Sequence, residues 1–159
     1  MLKFFRSFRY AGRGFALCLR ERNFRFHLAL FSYMIGYLVV YDWFVLTRGE
    51  WAVLLLAAAL VLAAEAFNTA LEALVDLASP GQHPLAAKAK DIAAGAVLIC
   101  AAGAVAVGIA VMYQPEAFRK LYVYYIENPL MLLMLGISLA ITGVLILWPT
   151  KKKKRGKIL

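Results

Sequence analysis

Four apolar runs, each long enough to cross a bilayer, decide what this chain can fold into. They cover about His27–Leu46, Trp51–Ala78, Ile92–Tyr113 and Leu130–Trp148. About 20 apolar residues in a helix span ~30 Å of hydrocarbon. Backbone polar groups in lipid must be satisfied internally, which leaves helices or closed barrels. Tyr41, Trp43, Trp51, Tyr113 and Trp148 fall near run ends, where an aromatic belt meets the headgroups. Hydrophobic residues make up 64% of the 159, above the roughly 45–50% of soluble domains. The expected fold is an all-α integral membrane protein with an N-terminal amphipathic interfacial helix and four transmembrane helices.

Residues 2–25 read as that interfacial helix. Phe4, Phe5, Phe8, Phe15 and Leu19 recur on one side, and Arg6, Arg9, Arg13 and Arg20 cluster on another. Such a helix lies in the plane of the headgroups. The net charge of +9 would suit nucleic acid in a soluble protein. Here the basic residues flank apolar runs and belong at anionic headgroups, so no nucleic-acid partner is expected. The alternation of Phe and Arg is unlike a signal peptide. Cys18 and Cys100 lie in unlike segments and imply neither a disulfide framework nor a metal site.

Orientation follows from Lys and Arg. With the N-terminus cytoplasmic, Lys3, Arg6, Arg9, Arg13, Arg20, Arg22 and Arg25 share a side with Lys88, Lys90 and the tail Lys151–Arg155 plus Lys157. Only Arg48, Arg119 and Lys120 fall opposite. This satisfies the positive-inside rule, needs an even number of spans and places both termini in the cytoplasm. Ala96, Cys100, Ala104 and Gly108 form a small-residue stripe in the third run, which invites close helix packing.

The chemistry-bearing pattern lies in the second run. Glu65, Asn68, Glu72 and Asp76 are spaced by three, four and four residues. At ~100° per residue they share a face roughly 80° wide. Ionisable groups inside a span cost several kcal/mol and are functional candidates by default. A single polar packing contact would be the bland reading, and three carboxylates with an amide in one row exceed it. Counting from Trp51 at ~1.5 Å per residue, the cytoplasmic boundary falls near Leu71 or Glu72. Asp76 then reaches water, and Glu65 lies about two turns deeper.

The third run opens at the same level with Lys88-Ala89-Lys90-Asp91-Ile92. Lys90 can meet phosphate oxygens, and Asp91 can hold a nucleotide hydroxyl or cap the helix. Glu21 can pair with Arg25 one turn on, or join Glu72 in a carboxylate cluster. Carboxylates with basic neighbours suit Mg²⁺ and phosphate, and a buried Glu can deprotonate an alcohol. The chain has no GxxxxGK[ST] loop and no protein-kinase motif set.

Three segments together resemble a known family. They are Glu21-Arg22-Asn23-Phe24-Arg25-Phe26-His27, the Glu65–Asp76 row, and the stretch from His83-Pro84-Leu85 through Ala89-Lys90-Asp91 to Val97. The likeness is to the small bacterial membrane kinases of the diacylglycerol kinase family, within it most to the undecaprenol kinases. It covers about residues 3–113. The resemblance implies ATP- and Mg²⁺-dependent phosphorylation of a membrane lipid alcohol, undecaprenol or alternatively diacylglycerol. It implies a homotrimer in the bacterial plasma membrane, with active sites shared between subunits at the cytoplasmic face.

By position, the resemblance makes Glu65 the catalytic base and Glu21 and Glu72 the Mg²⁺ ligands. Asn68 would orient the γ-phosphate or substrate, Lys90 would contact phosphate and Asp91 the nucleotide. His83 and Tyr10 would lie beside the nucleotide, with Asp76 in support. Residues 1–113 would form the lipid kinase domain, with spans about 27–46, 51–78 and 92–113. The family usually ends there. Residues 114–159 add a further span, about 130–148, expected to pack peripherally with its Lys-rich tail on anionic lipid. A transporter would spread carboxylates through several spans, and a scaffold would leave the row unexplained.

Overall fold

A computed structural model describes residues 2–81 and 83–149, the side chains of Leu2 and Lys3 excepted. The basic tail Lys151–Arg155 and Lys157 lies outside the described residues. Among the described residues six helices follow in order: α1 Leu2–Cys18, α2 Arg22–Val40, α3 Arg48–Ala78, α4 Pro84–Met112, α5 Pro115–Glu127 and α6 Pro129–Leu147. Among the described residues there is no strand.

Local chemistry explains the boundaries. A capping box opens α3: Glu50 N–H donates to Thr47 Oγ1 at 3.3 Å, and Thr47 N–H donates to the Glu50 carboxylate at 2.7 Å. Helices α4, α5 and α6 each begin on a proline, Pro84, Pro115 and Pro129. Proline suits that position because its missing N–H would find no partner there. His83 caps α4, its Nδ1 accepting from Leu85 N–H at 3.2 Å. Asp91 is therefore not the cap of this helix. The good helix formers from Leu85 to Lys90 carry α4 back to Pro84, well before the expected start at Ile92.

Two further expectations are corrected. The helix expected over residues 2–25 ends at Cys18, where Glu21 N–H turns back to Cys18 O at 2.9 Å. Arg22 and Arg25 belong to α2. The first run, expected to be helical to Leu46, stops at Val40. Residues 41–47 turn the chain so that Phe44 packs inward with Leu38, Leu54 and Ala117. Tyr41 stacks on Trp43 at 4.3 Å beside this cluster.

The α3–α4 hairpin is the body of the fold, with α2 packed on α3 and α6 packed on α2. Val61 is fully buried in α3, and Ala93 and Val97 are the buried residues of α4. The stripe expected to pack is only partly on that side: Cys100, Ala104 and Gly108 are half-buried and Ala96 is exposed. Among the described residues, α3, α4 and α6 are the helices long and apolar enough to cross a membrane. The apolar stretch of α2 is shortened by Arg22, Arg25 and His27.

The added segment is fastened to this body by polar contacts. Gln114 bridges the N–H and C=O of Val45, each at 3.1 Å. The Tyr37 and Tyr125 hydroxyls share a short hydrogen bond, and Tyr33 Oη lies 3.0 Å from Thr142 Oγ1. Arg25 donates to Leu145 O at 2.8 Å and to Trp148 O at 3.0 Å. No residue of α6 is buried, so it stands at the edge of the fold.

Candidate functional site

Helix α3 carries the polar row from the core to the surface. Glu65 is 3% exposed and Asn68 8%, whereas Glu72 and Asp76 are exposed. Asn68 Nδ2 donates to Glu72 Oε1 at 3.1 Å. That leaves Asn68 Oδ1 buried with no hydrogen-bond partner. An unpaired buried acceptor costs about 1–3 kcal/mol, so a site that keeps one is a candidate for a ligand that satisfies it.

The surroundings of Glu65 come from two helices and one connection. His27 Nε2, on α2, lies 3.5 Å from Glu65 Oε1. Glu72 and Glu21 are the carboxylates near Glu65. Glu21 occupies the N-cap position of α2 without using its side chain as a cap. It does not pair with Arg25 as one sequence reading had it: only the Arg25 backbone N–H turns to Glu21 O, at 3.1 Å. The two terminal nitrogens of the Arg25 guanidinium donate to α6, and its Nε is buried without a partner.

At the other end of the row, Lys90 of α4 forms an ion pair with Asp76 of α3. The pair borders a cleft of about 560 Å³ that is also lined by Ser79, Gly81, His83 and Ala87. The turn between α3 and α4 thus brings Asp76, His83 and Lys90 together. Asp91 is exposed on the same helix. Tyr10 is exposed on α1, the Arg9 guanidinium 5.7 Å from its ring centroid.

Oxygen donors dominate: the carboxylates of Glu21 and Glu72 and the unpaired Asn68 carbonyl. Hard cations prefer such a set. Among the described residues no three or more His, Cys, Asp or Glu side chains gather as a metal cage. Mg²⁺ is ordinarily held by one or two carboxylates and completed by substrate phosphates, so this donor set fits it. A deep carboxylate, a half-exposed amide–carboxylate pair and a cleft bordered by the Lys90–Asp76 ion pair, in that order, can join a lipid-borne hydroxyl to a water-borne phosphate.

His27 was missed as a site residue by sequence reasoning. The available signal was an ionisable side chain near the start of an otherwise apolar run, read there as a span boundary. Its approach to Glu65 depends on how α2 packs on α3, which spacing does not reveal.

Comparison with known proteins identifies the family. The profile of the family described as Prokaryotic diacylglycerol kinase matches residues 9–112, from α1 to the end of α4. The chain is 41% identical over 110 residues to the undecaprenol kinase of Bacillus subtilis, covering 67% of this chain and 85% of that protein. It is 42% identical over 112 residues to the diacylglycerol kinase of Synechocystis sp., covering 69% of this chain and 62% of that protein. No solved structure matches. Helices α5 and α6 lie beyond the matched family region. The chain belongs to the prokaryotic diacylglycerol kinase family and is a lipid kinase.

Proposed function

We propose that the chain transfers the γ-phosphoryl group of ATP to the hydroxyl of undecaprenol. The observation that carries this reading is the row itself: Glu65 buried beside His27, Asn68 with an unsatisfied carbonyl, and Glu72 exposed beyond it. The Glu65 carboxylate takes the hydroxyl proton as the lipid oxygen bonds to the γ-phosphorus. The bond from that phosphorus to the bridging oxygen breaks, and ADP leaves with the electron pair. Glu65 then returns its proton to water. Lys90 and His83 face the phosphates from the cleft, with Asp76 holding Lys90 in place and Asp91 on the nucleotide side. Tyr10 would reach the nucleotide only from α1. Bound Mg²⁺, held by Glu21 and Glu72 with Asn68 Oδ1 alongside, would neutralise phosphate charge. Positioning and charge neutralisation dominate such transfers.

An apolar groove of about 690 Å³ between α1 and α3, lined by Phe15, Phe24, Ala63, Phe67 and Ala70, offers room for the substrate's hydrocarbon. Ala66 and Thr69, sequence neighbours of Glu65 and Asn68, also line it. Residues 1–113 act as the kinase unit and 114–159 as an addition to it. The assembly is a homotrimer in the bacterial plasma membrane with both termini cytoplasmic, with α2 as the first of four spans and α1 in the interface.

Undecaprenol is favoured by the Bacillus relative's name and by that relative being covered over most of its length. Diacylglycerol is the second reading, favoured by the Synechocystis relative at comparable identity. The test offers each lipid with radiolabelled ATP to purified protein. Label in undecaprenyl phosphate alone supports the proposal. Label only in phosphatidic acid moves the assignment to diacylglycerol, and no label in either lipid refutes both.

A further inference from the structure

We infer that Arg25 and the C-terminal end of α6 set the geometry at Glu65 through the first turns of α2. This rests on the lipid-kinase site proposed above and adds a positioning residue to it. The reason begins in the sequence of α6. The last carbonyls of a helix lack intrahelical donors. Leu145 O would seek the N–H of residue 149, which is Pro149 and has none. Arg25 supplies the missing donor: Nη1 bonds Leu145 O at 2.8 Å and Nη2 bonds Trp148 O at 3.0 Å. A cation at a helix C-terminus also complements the dipole.

The same stretch of α2 touches two other elements. Phe24, 3% exposed, meets Phe15 of α1 edge-on at 5.8 Å. His27 Nε2 lies 3.5 Å from Glu65 Oε1 of α3. At ~100° per residue, positions 24, 25 and 27 point in three different directions from the axis. Phe24 and Arg25 together therefore oppose rotation of α2 about its axis, and His27 is held over Glu65. A side-chain tip lies ~6 Å from a helix axis, so a roll of about 10° would displace His27 by ~1 Å. A misplacement of ~1 Å can lower a rate ~100-fold. The segment beyond the family region thus reaches the reaction centre through one guanidinium.

The experiment uses full-length protein carrying Arg25→Gln, Arg25→Lys, His27→Ala, or Arg25→Gln with His27→Ala. For Arg25→Gln, kcat should fall ~10- to 100-fold while the KM for ATP changes less than about twofold. Arg25→Lys should recover part of the rate, because an ammonium lacks the planar fork that spans two carbonyls. The double variant should be no slower than His27→Ala alone, since Arg25 acts through His27. Multiplying losses, an unchanged kcat, or a raised KM for ATP with kcat intact would each overturn the inference. Hydrogen exchange at the α2 amides near Arg25 reads the clamp without any turnover. Faster exchange in Arg25→Gln is expected, and unchanged exchange contradicts the clamp. Absence of lipid phosphorylation by the unsubstituted protein would instead be a failure of the proposed function.

Discussion

Replacing Asn68 with Leu should raise thermal stability while removing activity. Asn68 is 8% exposed, and its Oδ1 is buried without a partner. Relief of that unsatisfied acceptor is worth about 1–3 kcal/mol. Against it stands the 3.1 Å bond from Asn68 Nδ2 to Glu72. Glu72 is exposed, so water replaces this bond and the loss is at the low end, ~0.5–1 kcal/mol. Leu also fills the space, which avoids the cavity that Ala would leave. The net gain is ~1 kcal/mol, or about 2–4 °C in Tm for a chain of this size. The kinase rate should fall ~10²- to 10³-fold, the usual cost of losing one group that stabilises the reacting phosphate. Melting of purified protein in detergent and transfer from labelled ATP read the two effects side by side. A Leu variant that melts several degrees lower and phosphorylates at the normal rate would refute the reasoning.

Other outcomes follow from single contacts. Thr47→Ala breaks the capping box of α3 and should lower stability by ~1 kcal/mol, visible as a drop of about 2–4 °C in Tm. Lys90→Gln should raise the KM for ATP about tenfold and leave Tm unchanged, because an ion pair with Lys90 36% and Asp76 54% exposed adds only ~0–1 kcal/mol. A large fall in Tm would make that lysine structural. The Tyr41 hydroxyl is pushed up to about 12, first by its hydrogen bond with Tyr124 and then by burial. That of Tyr125 is pushed up to about 12 by burial and by its bond with Tyr37. Both folded values lie above the ordinary value of 10.0. Their stabilising contribution is therefore present below pH 10 and lost as pH rises toward 12. An ultraviolet titration should show a late tyrosine fraction that Tyr125→Phe diminishes, and one transition near the ordinary value would contradict the hydrogen-bonded tyrosine cluster.

The parts legible in sequence were those where chemistry contradicts its surroundings. Apolar runs announced α3, α4 and α6, and carboxylates in an apolar helix announced Glu65 and Glu72. Their burial gradient also follows from counting residues down from Trp51. Other features depend on tertiary contacts. Nothing at Leu19-Arg20-Glu21 breaks a helix by propensity; the packing of Phe24 on Phe15 accompanies the turn there. Helix α5 is short, and its tyrosines show their purpose only against Tyr37, Tyr41 and Trp43. Arg25 looked like one more headgroup cation, because its acceptors lie more than a hundred positions along the chain. Asp91 looked like a helix cap only because the apolar run begins after it, whereas the helix itself begins at His83-Pro84.

The central claim is that Glu65, held deep in α3, deprotonates the lipid hydroxyl. Its most direct test is Glu65→Gln in purified protein with labelled ATP and undecaprenol. Loss of a general base predicts a kcat lower by ~10²- to 10⁴-fold, with the KM for ATP unchanged because the nucleotide is held elsewhere. Phosphate transfer at the full rate by that variant would contradict the account.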